Sequence, residues 1–154
     1  MAGTINLDPD FKEFIQSLNA CNVRYLVVGG YAVAFHGQPR YTKDLDIWVH
    51  HSAENAANIS AAIEDFGFES LGLKPDDFLE PDQVVQLGYP PNRIDLINSL
   101  SGVDFDECYE RRVEGNVDNT PIPFIGTDDL RANKLATGRP QDLADAKKLN
   151  PRRT

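Results

Sequence analysis

Two aspartates two positions apart are the residues best suited to chemistry in this chain. Asp44 and Asp46 open the segment DLDIWV, residues 44–49, whose apolar residues are typical of a strand. Alternate residues of a strand face the same side, so we expect the two carboxylates to project together. Adjacent carboxylates repel unless solvent, a proton or a cation neutralises them, and Mg²⁺ prefers oxygen ligands. The spacing indicates a divalent-cation site, although such pairs also occur by chance at strand ends.

A third aspartate lies in a later strand-like run. Asp95 is part of RIDLI, residues 93–97, where isoleucine and leucine flank it. If this strand lies beside the strand of Asp46, the three carboxylates form one cluster able to hold one or two metal ions. Taken alone, one charged residue in a strand more commonly marks its solvated end.

A glycine pair precedes the aspartates. Gly29 and Gly30 follow the apolar run RYLVV, residues 24–28, and precede a short helical pattern that Gly37 closes. Glycines between a strand and a helix let phosphate approach backbone N–H groups. The steric need for a tight turn is an equally simple explanation. The GxGxxG and GxxxxGK[ST] fingerprints do not occur, so the Rossmann and P-loop folds lack support.

The rest of the pattern predicts the elements that position these residues. Helical periodicity follows Asp8 and Ser52, and two C-terminal helices are expected to start at a Thr127 cap and at Pro140. The runs QVVQLGY and RIDLIN flank turn residues 90–92 and predict a β-hairpin. The order favours an α+β fold, a mixed β-sheet with helices packed on it. We expect one domain, residues 1–154, with a helical segment at about 127–149.

Composition indicates a soluble globular protein, with 41% hydrophobic and 25% charged residues. No apolar run approaches the roughly 20 residues that span a bilayer. The N-terminus lacks a secretory signal, and Cys21 and Cys108 lie far apart, so we expect a cytoplasmic protein without membrane partners. The net charge of −9 opposes broad nucleic-acid binding, although seven Lys or Arg against two Asp after residue 130 form a local basic segment.

Taken together, the motifs resemble the nucleotidyltransferase superfamily, whose fold is shared with DNA polymerase beta. VVGG, residues 27–30, is similar to its glycine motif, DLDI, residues 44–47, to its paired acid motif, and Asp95 to its third acid. The stretch 29–49, with Arg40 and Thr42, and the stretch 128–149, with Lys134, are similar to the AbiEii-like branch of small nucleotidyltransferases. The resemblance implies the nucleotidyltransferase fold, with an α-β-α-β-α-β core.

This resemblance implies a nucleotidyltransferase that uses Mg²⁺, or alternatively Mn²⁺, and a nucleoside triphosphate such as ATP. It would transfer a nucleoside monophosphate to an RNA end, a protein or a small molecule. The implied metal-binding and catalytic residues are Asp44, Asp46 and Asp95. The implied nucleotide-binding residues are Gly29, Gly30, Arg40, Thr42 and Lys134. The AbiEii-like resemblance further implies the toxin-like component of a toxin–antitoxin module, with a cognate antitoxin protein as partner.

Several alternatives to this assignment stay open. Many catalytic members have Gly-Ser where this chain has Gly29–Gly30, and AbiEii-like toxins generally carry an additional helical domain. A binding or regulatory module without turnover, or a subunit completed by a partner protein, would share the same motifs. Lys134 is equally explained as an ordinary exposed helical lysine, and Arg40 as an ion-pair partner of Asp44.

Overall fold

The computed structural model describes residues 7–37, 42–67, 73–88 and 93–149. Arg40 and the predicted turn residues 90–92 lie outside these ranges. The elements, in chain order, are α1 (Pro9–Ala20), β1 (Tyr25–Val28), α2 (Gly29–Phe35), β2 (Leu45–Val49), α3 (Ala53–Phe66), a 3₁₀ turn (Pro75–Phe78), β3 (Val84–Leu87), β4 (Ile94–Ile97), α4 (Phe105–Glu110), β5 (Val113–Val117), β6 (Thr120–Phe124), α5 (Thr127–Thr137) and α6 (Pro140–Lys148).

Six strands form one mixed sheet in the order β3-β4-β2-β1-β6-β5. β2 runs parallel to β4, and β1 runs parallel to β6. The remaining neighbours, including the predicted β3–β4 hairpin, are antiparallel. The predicted α+β class, a mixed sheet with helices packed on it, is confirmed.

The core forms where the buried central strands pack against the apolar faces of the helices. Leu45 and Ile47 of β2 are buried, as are all four residues of β1. Apolar residues of α1 recur at helical spacing and are buried, and α1 packs against α3. Among the described residues, no helix has the length and apolar character needed to cross a membrane.

Local sequence signals account for most helix ends. The side chain of Asp8 accepts a hydrogen bond from the Asp10 N–H at the start of α1, and Ser52 caps α3 in the same way. The predicted Thr127 cap is wrong, because Thr127 is the first residue of α5 and the extended backbone of Gly126 occupies the cap position. Helix α2 also begins earlier than predicted, at Gly29 itself.

Candidate active site

The parallel pairing of β2 and β4 brings the three aspartates together. Asp46 and Asp95 are register partners on these adjacent strands, so their side chains lie on one face of the sheet. Asp44 immediately precedes β2 and shares the Arg93 guanidinium with Asp95. Asp95 is buried, with 8% of its surface exposed. The juxtaposition expected from the two strand motifs is therefore present, while the roles of the three residues stay predictions.

Sequence reasoning missed Arg93, which lies between two of the carboxylates. Its Nε donates to Asp95 Oδ1 at 2.9 Å, and one Nη donates to Asp95 Oδ2 at 3.2 Å and to Asp44 Oδ2 at 3.1 Å. The Arg93 carbonyl accepts a hydrogen bond from the Leu45 N–H, which anchors its backbone to the start of β2. The sequence contained one indication of this contact. Arg93 stands two residues before Asp95 and, at strand spacing, faces the same side of the sheet.

The electrostatics of Asp46 follow from its crowded position. Burial raises the pKa of the Asp46 carboxyl to about 7, and the carboxylates of Asp95 and Asp44 add to the effect. Arg93 and Lys134 act in the opposite direction, although less strongly. The charge of the Asp46 carboxylate is therefore poorly compensated, and additional positive charge nearby would stabilise its ionised form.

The donor chemistry at this position suits a hard divalent cation, since three carboxylates offer oxygen ligands. Within the described ranges, however, no group of three or more His, Cys, Asp or Glu residues has the arrangement of a metal site. The Arg93 guanidinium supplies the local positive charge between Asp44 and Asp95 instead.

The glycine pair leaves room for two side chains, those of Thr42 and Asp46, to pack directly against its backbone. Gly29 has a φ of +67°, and a Cβ built there would overlap Asp46 Oδ2. A Cβ on Gly30 would lie 2.8 Å from the methyl carbon of Thr42. Thr42 Oγ1 is buried and has no hydrogen-bond partner among the described residues. Close packing against Asp46 and Thr42 thus requires both glycines, whether or not phosphate also binds there.

Lys134 belongs to a buried ionic network that joins α5 to α6. Its Nζ lies 2.9 Å from Asp142 Oδ1 and 3.2 Å from Asp145 Oδ2. Asp142 also accepts from Thr137 Oγ1 at 2.6 Å and from Arg139 Nε at 2.9 Å. These hydrogen bonds, together with the positive charges, lower the pKa of the Asp142 carboxyl although burial opposes them. Lys134 is thus buried, which excludes the ordinary exposed lysine left open by the sequence.

Two adjacent cavities lie beside these groups. The central cavity, of about 340 Å³, is lined by the glycine pair, Asp46, Ser99 and Lys134, among other residues. The second, which we call the acidic cavity, has a volume of about 330 Å³ and includes Trp48, His50, Asp104 and Asp106 in its lining. The cavities share Ser99 and Leu100, so they are direct neighbours. Together they could hold a donor and an acceptor side by side.

His36 connects two elements that contribute to the central cavity. Its Nε2 lies 2.7 Å from the Ile125 carbonyl oxygen and its Nδ1 lies 3.0 Å from Thr127 Oγ1. The carbonyl can only accept, so Nε2 carries the proton and Nδ1 accepts from the threonine hydroxyl. Burial lowers the pKa of the His36 imidazole, which outweighs the carbonyl contact. The neutral ring therefore holds the end of α2 against the start of α5.

Comparison with known proteins gives a family and a fold. Residues 10–149 match the model of the aminoglycoside-2''-adenylyltransferase family. A Thermotoga maritima protein assigned to the nucleotidyltransferases has a similar structure, with a TM-score of 0.59 and 14% identity over 89% of this chain and 88% of that one. An antigenic nucleotidyltransferase-like protein from Paracoccidioides brasiliensis gives a TM-score of 0.51 and 18% identity, over 90% and 72%. The chain has no match among curated protein sequences.

Proposed function

The chain belongs to the aminoglycoside-2''-adenylyltransferase family, and from this premise we propose that it transfers a nucleoside monophosphate from a nucleoside triphosphate to a hydroxyl of a small cationic acceptor. The observation that carries the proposal is the register pairing of Asp46 with Asp95, next to Asp44. Asp46 lines a cavity that the glycine pair and Lys134 also line. The nucleotidyltransferase fold of the two structural neighbours is consistent with this chemistry.

In the proposed reaction, the acceptor oxygen forms a bond to the α-phosphorus of the triphosphate. The bond between that phosphorus and the oxygen that bridges the α- and β-phosphates breaks. Pyrophosphate leaves, and the hydroxyl proton passes to the Asp95 carboxylate, which acts as the general base. Asp44, Asp46 and Asp95 would hold Mg²⁺ or Mn²⁺, which when bound supplies positive charge that stabilises the negative charge of the triphosphate. The raised pKa of Asp46 supports this assignment, since a nearby cation favours its ionised form.

The remaining predicted residues would bind the nucleotide. Lys134 has three N–H donors, and Asp142 and Asp145 account for two of them in the described part of the chain. The third can be donated to a departing pyrophosphate oxygen. Backbone N–H groups at Gly29 and Gly30, with the unpaired hydroxyl of Thr42, would orient the phosphates. Arg40, outside the described residues, is proposed as a further phosphate contact on its sequence position alone.

The acidic cavity supports a cationic acceptor. Asp104 and Asp106 lie in its lining, and the described lining residues include no Lys or Arg. Asp106 is exposed and faces His50 Nε2 at 3.3 Å, so much of its charge is available to a ligand. An aminoglycoside, the substrate named by the family, carries several ammonium groups and hydroxyls. It satisfies both the charge of this cavity and the need for an acceptor hydroxyl.

One observation favours a second candidate, a binding or regulatory module, alone or with a partner protein. Arg93 pairs with both Asp44 and Asp95 without any metal ion, so these two carboxylates have a counter-charge of their own. The toxin–antitoxin role follows from the AbiEii-like resemblance, which the family match does not support. It stays a prediction from the sequence.

The test is transfer of an α-labelled monophosphate from each of the four nucleoside triphosphates, with Mg²⁺ or Mn²⁺, to an aminoglycoside panel and to RNA. We expect labelled aminoglycoside with the wild type, and a loss of at least about a thousandfold for Asp46→Asn and Asp95→Asn. Asp128→Asn is the matched control, because Asp128 is exposed in the first turn of α5 and should leave transfer unchanged. A wild type as inert as Asp46→Asn towards every acceptor would favour the binding module.

A further inference from the structure

The Arg93 guanidinium is held by two acids that are predicted to bind a metal ion. Its three hydrogen bonds within the described residues, of 2.9 to 3.2 Å, go to the carboxylates of Asp44 and Asp95. The Arg93 side chain is 28% exposed, against 12% for the Asp95 side chain. The contact between a planar guanidinium and a carboxylate through two N–H groups is geometrically specific, so Arg93 holds Asp95 in a defined orientation.

The same carboxylate oxygens cannot serve Arg93 and a cation equally well. The nearby positive charge of Arg93 repels a divalent ion, and its N–H groups occupy the lone pairs that coordination needs. Oxygens of both Asp44 and Asp95 lie within 3.2 Å of Arg93 nitrogens, so these acids are oriented towards the guanidinium. Without any cation, however, three adjacent carboxylates would repel one another.

We propose that Arg93 is an internal counter-ion that stabilises the metal-free site and must leave Asp44 and Asp95 before a divalent cation binds. This inference rests on the proposed function, because it takes the three acids to be metal ligands. Arg93 thereby sets the metal affinity, and it makes the site respond to the metal concentration. When Arg93 is released, its guanidinium becomes free to bind the phosphates of the nucleotide that accompanies the metal.

Direct measurement of Mn²⁺ binding to the full chain, by the electron paramagnetic resonance signal of the free ion, tests the inference without any turnover. We expect Arg93→Gln to bind Mn²⁺ at least about tenfold more tightly than the wild type, because a repelling charge and a competing ligand are both removed. Arg112→Gln is the matched control. Arg112 pairs with Glu114 two residues further along, at 2.7 Å, and its removal changes the net charge equally. We expect its Mn²⁺ affinity to stay within twofold of the wild type.

A second readout keeps the test decisive if Arg93→Gln folds poorly. Arg93→Lys keeps the charge but lacks the planar fork that bridges two carboxylates, so its Mn²⁺ affinity should fall between those of the wild type and Arg93→Gln. Both variants should unfold at a lower temperature than the wild type in chelator and recover at saturating Mn²⁺. In the wild type, the Arg93 Nε–H nuclear magnetic resonance signal should exchange with water faster once Mg²⁺ is added.

The results separate failure of this inference from failure of the proposed function. If the wild type binds Mn²⁺ and both Arg93 variants bind it with equal or lower affinity, the counter-ion role is wrong. The assignment of the three acids as a metal site is then unaffected. An Arg93 Nε–H that stays protected at saturating Mg²⁺ overturns it as well. If neither the wild type nor any variant binds Mn²⁺, the metal assignment of the proposed function is wrong, and the inference fails with it.

Discussion

At the scale of single residues, Gly29 is restricted to glycine by two separate constraints. Its φ of +67° disfavours other residues, and a Cβ would overlap Asp46 Oδ2. Gly138 has nearly the same φ, +70°, but open space around its Cα. Comparison of the two positions therefore separates backbone strain from the close approach of Asp46.

We expect Gly138→Ala to cost about 1 kcal/mol in the free energy of unfolding, from backbone strain alone. Gly29→Ala should cost about 2 kcal/mol more, because the Asp46 carboxylate must also be displaced. Urea denaturation of both variants measures the difference. Equal losses would show that Asp46 moves aside freely and that its position is not fixed by the glycine.

Residue-level prediction from the sequence succeeded where one physical rule was sufficient. The period of two along a strand predicted that Asp44, Asp46 and Asp95 could face one side. Arg93 was missed because its role depends on which strands are neighbours, and that is decided by the whole sheet. Thr127 was misassigned because a threonine before two acids is a good cap in isolation, whereas here its hydroxyl donates to His36.

At the scale of elements, the hairpin of α5 and α6 depends on the buried Lys134. Removal of this ammonium leaves the Asp142 and Asp145 side chains, only 11% and 3% exposed, without their common counter-charge. We expect Lys134→Gln to lower the free energy of unfolding by about 3 kcal/mol, as for other broken buried ion pairs. Chemical denaturation at neutral pH measures this loss.

Arg139→Gln is the control for Lys134→Gln, since it removes a second cation from the same Asp142 carboxylate. The Arg139 side chain is 74% exposed, so its ion pair is screened by water. We expect a loss of less than about 1 kcal/mol. If the two variants lose equal stability, burial of the network does not determine its contribution to the free energy of unfolding.

The contact of His36 with α5 predicts a pH dependence of stability. Burial lowers the pKa of the folded-state imidazole below its ordinary value of 6.5, so below pH 6.5 the unfolded chain binds a proton that the folded chain resists. This contribution to stability is complete above pH 6.5 and decreases as the pH falls. At pH 8, we expect His36→Gln to be less stable than the wild type by about 1 kcal/mol, because a hydrogen bond is lost.

The difference in the free energy of unfolding between the wild type and His36→Gln should become smaller as the pH is lowered from 8 to 5. Urea denaturation repeated at each pH measures it. His51→Gln is the control, since His51 is exposed and its Nε2 lies 2.7 Å from the Leu79 carbonyl oxygen, away from α5. If this difference in free energy instead increases towards pH 5, the folded protein accommodates the protonated His36 imidazole.

Elements were predicted from the sequence more completely than their junctions. Helices α1 and α3 have clear caps and apolar periodicity, and the β3–β4 hairpin has strand-like runs on either side of turn residues. The start of α2 was misjudged, because glycines usually end strands and interrupt helices, whereas here Gly29 and Gly30 form its first turn. Packing against Asp46 and Thr42, which no local pattern reveals, favours this arrangement.

At the scale of the whole molecule, the excess of negative charge, and above all that of the acidic cavity, should attract the cationic acceptor that we propose. The chain has 24 Asp or Glu and 15 Lys or Arg, and acids line the cavity proposed for the acceptor. If an aminoglycoside is the acceptor, its KM should rise about tenfold between 50 and 500 mM NaCl, because salt screens the attraction. We expect kcat to change much less.

The double variant Asp104→Asn, Asp106→Asn tests whether the acidic cavity causes this effect. Steady-state kinetics compares the salt dependence of its acceptor KM with that of the wild type. Asparagine retains the cap that Asp104 gives to α4, so the fold should be preserved while the charge is lost. The salt dependence of KM should flatten in this variant. An identical dependence in both proteins would assign the effect to the overall charge and not to the acidic cavity.

Arg93 and Asp44 are 49 positions apart in the chain, yet they meet through the pairing of two central strands. Such a pairing carries a large loop-closure entropy and tends to form late in folding. A nascent chain that has not yet completed β4 contains DLDI but no third acid and no counter-ion. The proposed metal site can therefore form only after β2 and β4 have paired, and the time course of Mn²⁺ capture during refolding would report when that pairing occurs.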